Sequence, residues 1–202
     1  PTTPQGVDYD RMGKLIDWQI EKGINALVIC GTTGESSTLT DAEHREVMRY
    51  SIERVAGRVP VICGTGSNNT AAVIENERRY RDLGCAAQLV VTPYYNKTSQ
   101  AGLVSHYNYI ADRVNKPIIL YNVPSRTGVN LGLNLLERLA EHPNIVALKE
   151  ASDSVDRLVN LASINSKMIR TIVQLLSKLD RRLLMPVKRF RRPLYHCRIV
   201  IP

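Results

Sequence analysis

A lysine sits near the end of the apolar run in NIVALKEASD. Lys149 stands behind Ile145, Val146, Ala147 and Leu148, in a segment whose apolar and β-branched side chains belong inside a sheet. An ammonium group is costly to desolvate. Either the strand ends there and the amine reaches water, or burial lowers its pKa so that the free base can attack a carbonyl. Other groups able to do chemistry fall at similar places: Thr32 and Thr33 in GTTGES, Tyr94 and Tyr95 in TPYYNK, Tyr121 closing PIILY, and Arg126 in NVPSRTG. Singly, each has an ordinary reading, as a buried phenol satisfied by a carbonyl or as a solvated turn arginine. Taken as a set they describe one reaction type. An amine forms a Schiff base with a keto acid, an arginine fork and a threonine hold carboxylate, and hydroxyl groups pass protons.

The elements that must position these groups recur along the chain. Apolar runs at 26–30, 59–63, 88–91, 117–121 and 145–149 start about 30 residues apart, the length of one strand, one helix and their turns. Continuous apolar runs suit parallel strands covered on both faces. Between them the spacing predicts helices. Residues 40–56 open with a capping box of Thr40 and Glu43, carry Val47, Met48, Ile52 and Val55 on one face, and stop at Gly57. Residues 9–22 repeat the pattern with Met12, Leu15, Ile16 and Ile20 and stop at Gly23, and weaker helices are expected over 71–83 and 101–114. Parallel strands joined by helices build an open doubly wound sheet or a closed barrel, and both place chemistry at the carboxyl ends of the strands.

Other classes fit less well. GTGSNN lacks the third glycine of a dinucleotide fingerprint and the GK of a phosphate loop. His44, His106 and His142 have no metal-ligand spacing, and Cys30, Cys63, Cys85 and Cys197 are scattered as expected of free thiols in a reducing compartment. No apolar run reaches the roughly 18 residues of a membrane span, and the N-terminal stretch does not read as a secretory signal, so a cytoplasmic protein is expected. The net charge of +8 is uneven: residues 1–166 hold 17 basic and 18 acidic groups, whereas residues 167–202 hold 10 and 1. Nucleic-acid or anionic-lipid binding could therefore attach only to the tail, where the aromatics are few.

GTTGES, TPYYN, YNVPSRTG and LKEAS, in this order and spacing over about residues 7–163, resemble the dihydrodipicolinate synthase family of pyruvate-dependent class I aldolases and lyases. The resemblance implies a (β/α)8 barrel, usually a dimer of dimers, with no metal or organic cofactor. It implies that Lys149 forms the imine with pyruvate and Tyr121 moves protons at it. Thr32 links Tyr121 to a relay that Tyr95 completes from a neighbouring subunit. It further implies that Thr33 binds the pyruvate carboxylate and Arg126 the carboxylate of L-aspartate 4-semialdehyde. The product would be hydroxytetrahydrodipicolinate, on the way to diaminopimelate and lysine. Sister enzymes acting on N-acetylneuraminate or 2-keto-3-deoxy sugar acids share the lysine and the YN-P core. The paired threonines, Tyr94-Tyr95 and the SRTG arginine favour the dihydrodipicolinate branch. Ser36, Ser37, His44, Asn68 and Tyr94 match parts of a lysine effector site, but Ala72 stands where lysine-sensitive members carry a glutamate, so weak or absent inhibition is expected.

Two departures bear on the fold. PTTPQG already reads as the turn into the first helix, so the family's first strand is not expected in this stretch, and beyond about Lys167 the likeness stops. Residues 1–166 then form a partial barrel with about five of eight strands, and residues 167–202 form a divergent basic tail that reads like translation in a shifted frame. An inactive fragment is the rival reading.

Overall fold

The computed structural model describes residues 1–152, 154–163, 170–173 and 199–200; for the last two stretches and for 162–163 it defines the backbone course only. A short antiparallel hairpin, β1 (Thr2–Thr3) and β2 (Gly6–Val7), leads into α1 (Tyr9–Glu21). Strands β3 (Ala26–Ile29), β4 (Val61–Gly64), β5 (Ala87–Val91), β6 (Ile118–Asn122) and β7 (Ile145–Glu150) then lie side by side in chain order, all parallel. These are the five strands expected from the apolar runs. Two short strands not anticipated from sequence flank them: β8 (Arg170–Val173) beside β7 and β9 (Ile199–Val200) beside β3, both parallel to their neighbours. Apart from these two, the basic tail lies outside the described residues, as does Cys197.

The helices α2 (Asp41–Val55), α3 (Thr70–Tyr80) and α4 (Gln100–Ala111) connect successive strands, with α1 preceding β3. The predicted capping box is present: the Thr40 hydroxyl accepts from the Glu43 amide at 3.3 Å, and the Thr40 amide donates to the Glu43 carboxylate at 2.9 Å. Gly57 was expected to supply the left-handed stop of α2, but Ala56 (φ 49°) enters that region first and Gly57 follows it. Pro60, which has no amide to donate, delays the start of β4 to Val61 and uses its carbonyl to accept from Leu27. Three helices were not anticipated: α5 (Pro124–Thr127), α6 (Leu133–Ala140) and α7 (Val155–Ser163).

Alternation along the strands sorts the side chains onto two faces. Leu120 and Leu148 pack with Leu103, Tyr107 and Ile110 of α4 and Leu135, Leu136 and Leu139 of α6. Ile119, Tyr121, Ala147, Leu89 and Ile62 form a separate cluster on the other face. Fully burying one such aliphatic side chain is worth about 1.5–3 kcal/mol. These clusters fix the register that brings Tyr121 opposite Lys149 and Asn122 opposite Glu150. Cys30, Cys63 and Cys85 are free and buried in a third cluster under α1 and α2.

Candidate active site

Lys149 does not reach water. It is 0% exposed, its Nζ has no hydrogen-bond partner among the described residues, and the amine lies 4.3 Å from the centroid of the Tyr121 ring. The ring face favours the ammonium form, while desolvation favours the free amine. Desolvation wins, pulling the lysine from its ordinary value down to about 8. At pH 7 about a tenth of the side chain is then free base, on the order of 300 times the fraction of a solvated lysine. An uncharged amine without a partner in a dry site is a nucleophile for a carbonyl.

Tyr121 is buried, and desolvation raises its phenol, opposed by the positive charge of Arg126 and by a hydrogen bond with Thr32. The phenol therefore keeps its proton at neutral pH and can donate or relay it. Thr32 comes from the short 3-10 turn Thr32–Gly34 after β3, where Thr33 also lies; both are exposed at the strand mouth. That turn begins from a strained residue, Cys30 at φ 55°. It also passes close to β4, where a Cβ on Gly64 would fall onto the Cys30 carbonyl oxygen. Arg126 rides on α5, exposed, and its charge is felt at Tyr121. The glycine that ends α5, Gly128 (φ 67°), lies under the stem of Lys97, whose Cε would stand 2.8 Å from a Cβ there.

The structure thus brings Lys149, Tyr121, Thr32 and Arg126 to one end of the sheet, with Thr33 beside Thr32. Tyr95 stands apart. It is 92% exposed in the loop after β5 and adopts φ 67°. Of the residues matched to an effector site, Asn68 and Tyr94 meet, the Asn68 side-chain amide donating to the Tyr94 carbonyl at 3.3 Å. Ser36 and Ser37 lie in a second 3-10 turn, Ser36–Thr38, and His44 on α2 packs on Tyr80 with ring centroids 5.3 Å apart. Ala72 sits in the first turn of α3, its amide capped by Asn69. Among the described residues, no group of three or more histidine, cysteine or carboxylate side chains is placed to hold a metal ion.

Directly behind Tyr121 and Lys149 lies a polar group that the sequence did not reveal. Glu150 is 1% exposed, and its carboxylate accepts from Asn122 Nδ2 at 2.8 Å, from the Ser152 amide at 3.1 Å and from Arg157 Nε at 2.9 Å. A charged residue closing a strand buried on both faces was the available signal, because such a charge demands a partner.

Comparison with known proteins places these residues in context. The model of the dihydrodipicolinate synthetase family matches residues 2–172. A 4-hydroxy-tetrahydrodipicolinate synthase from Clostridium perfringens is 49% identical over 164 residues, covering 81% of this chain and 56% of the relative. One from Trichlorobacter lovleyi is 53% identical over 157 residues, covering 78% and 54%. Among solved structures, the dihydrodipicolinate synthase of Acinetobacter baumannii in complex with pyruvate superposes with a TM-score of 0.81 at 46% identity, over 85% of this chain and 60% of that one. The chain therefore spans little more than half the length of the curated relatives it matches.

Proposed function

The chain belongs to the dihydrodipicolinate synthetase family, and on that premise we propose that it carries the pyruvate-capturing centre of a 4-hydroxy-tetrahydrodipicolinate synthase. The observation that supports this reading is the buried Lys149 amine, without a hydrogen-bond partner among the described residues, against the Tyr121 ring. In the proposed reaction the free amine attacks C2 of pyruvate, and the carbinolamine loses its hydroxyl as water, with Tyr121 supplying the proton. Loss of a C3 proton from the resulting imine gives an enamine, whose carbon bonds to the aldehyde carbon of L-aspartate 4-semialdehyde. The substrate's own amine then displaces Lys149 on ring closure. Thr33 holds the pyruvate carboxylate and Arg126 that of the aldehyde, while Thr32 joins Tyr121 to a relay completed by Tyr95 of a second copy. The exposure of Tyr95 suits a group that acts across such a contact, in a homo-oligomer. Weak or absent inhibition by lysine belongs to the same proposal, since Ala72 offers no carboxylate to an effector amine.

The test is consumption of L-aspartate 4-semialdehyde by the full chain with pyruvate. Formation of the heterocyclic product, lost in Arg126→Ala mainly through a higher KM for the aldehyde, is expected. Cleavage of a sugar acid without condensation would move the chain to a sister activity. Neither reaction, with no pyruvate captured, would mark an inactive fragment.

A further inference from the structure

Each residue of the reacting pair is followed, on the opposite face of the same strand, by a polar residue. Asn122 follows Tyr121 on β6, Glu150 follows Lys149 on β7, and the register pairs Asn122 with Glu150. Their side chains hold four segments together. Asn122 donates one amide hydrogen to Glu150 at 2.8 Å and the other to Asn130 Oδ1 at 2.8 Å, and its oxygen accepts from the Leu131 amide at 3.1 Å. Arg157, from α7, donates to Glu150 at 2.9 Å and to the Leu131 carbonyl at 2.6 Å. Residues 130 and 131 continue from the segment that bears Arg126, so β6, β7, α7 and the Arg126 segment all meet at one carboxylate.

A buried ion pair is weak support for stability, because well-packed apolar residues of similar volume often do as well or better. What such a pair can impose is geometry. Here the geometry is specific to a carboxylate. Three donors converge on its two oxygens, so a glutamine in either orientation would turn its own NH2 group toward a donor. We propose that Asn122, Glu150 and Arg157 are positioning residues, which hold Lys149 and Tyr121 in reacting register and tie the Arg126 segment to them. They touch no substrate and act through the residues in front of them. This inference rests on the proposed pyruvate chemistry of Lys149.

The test uses the full chain and compares wild type with Glu150→Gln, Glu150→Asp and Arg157→Lys. For each, the rate of borohydride-trapped pyruvate per folded molecule is measured across pH, alongside the thermal midpoint. Among the described residues, Tyr121 of β6 is the titratable group whose ring faces the amine, with its phenol held above the usual range by desolvation. The pH midpoint of capture therefore reads Lys149. Capture in Glu150→Gln is expected to slow by at least about tenfold, with its midpoint moved upward as water reaches the amine, and Glu150→Asp recovers much of the rate. Where Glu150→Gln does not fold, Arg157→Lys carries the same expectation, because it loses the guanidinium fork but keeps the charge. Wild-type rate and midpoint in the folded variants, with only the thermal midpoint lowered, would reduce the network to a structural role and overturn the inference. Absence of capture in wild type would be a different failure, removing the proposed chemistry and this inference with it.

Discussion

At the scale of single residues, the proposed chemistry needs an amine that is less basic than a solvated lysine. Because Lys149 is drawn down to about 8 by burial, the rate of pyruvate capture should rise with pH up to about that value and then level off, as a pH-rate profile would show. Stability has a sign that follows from the same shift. Below about pH 8 the folded chain buries an ammonium. Between there and the ordinary lysine range the unfolded chain binds the extra proton, so stability rises with pH across that window. Lys149→Met should therefore be more stable than wild type at pH 7, by up to about 3 kcal/mol. The advantage should fade as the pH passes through the window, which denaturant titrations at several pH values can follow. Tyr121→Phe keeps the ring against the amine and removes the proton donor, so capture should slow by roughly a hundredfold while the fold is kept.

Elements position these residues, and the signals that mark them in the sequence are uneven. The five central strands were legible because each is a continuous apolar run between turn residues, and α2 because Thr40 and Glu43 announce its start. Helix α6 was not, since Gly132 gives it no side-chain cap and its eight residues barely establish a period. The Glu150 network was hidden for a different reason. Its arginine lies seven residues away on a helix and its asparagine on another strand, so only the parallel register joins them. Lys149, Tyr121, Thr32 and Arg126 stand out in the sequence as candidates because chemistry restricts residue types more tightly than packing does, whereas the partners behind them are restricted by geometry that a linear pattern does not carry. Gly64 shows the same limit from the side of packing. Its missing side chain lets β4 lie against the Cys30 carbonyl beneath the Thr32 turn. Gly64→Ala should lower stability by about 1–3 kcal/mol. It should also impair capture in the molecules that remain folded, as calorimetry and the trapping assay together would show.

Over the whole molecule, we propose a site shared between two copies of the chain. Tyr95 is almost fully exposed, so under the proposed sharing two inactive variants should rescue each other when mixed. A Tyr95→Phe chain supplies Lys149 and a Lys149→Arg chain supplies Tyr95. Mixed oligomers should regain about a quarter of the condensation rate by random pairing into shared sites, and no recovery on mixing would assign the relay to a single chain. For the excess of basic residues beyond residue 166 we propose translation in a shifted frame. The coding DNA should then hold a family-like strand sequence such as GVISV in another frame downstream, and its absence from every frame would defeat that assignment. The claim beneath all of these is that one buried free amine bonds covalently to a small keto acid. Incubation with pyruvate and borohydride, followed by peptide mass spectrometry, tests it most directly. One reduced pyruvate adduct is expected on Lys149 and none in Lys149→Arg. An unmodified Lys149 in the folded chain, or an adduct that persists undiminished in the arginine variant, would contradict it.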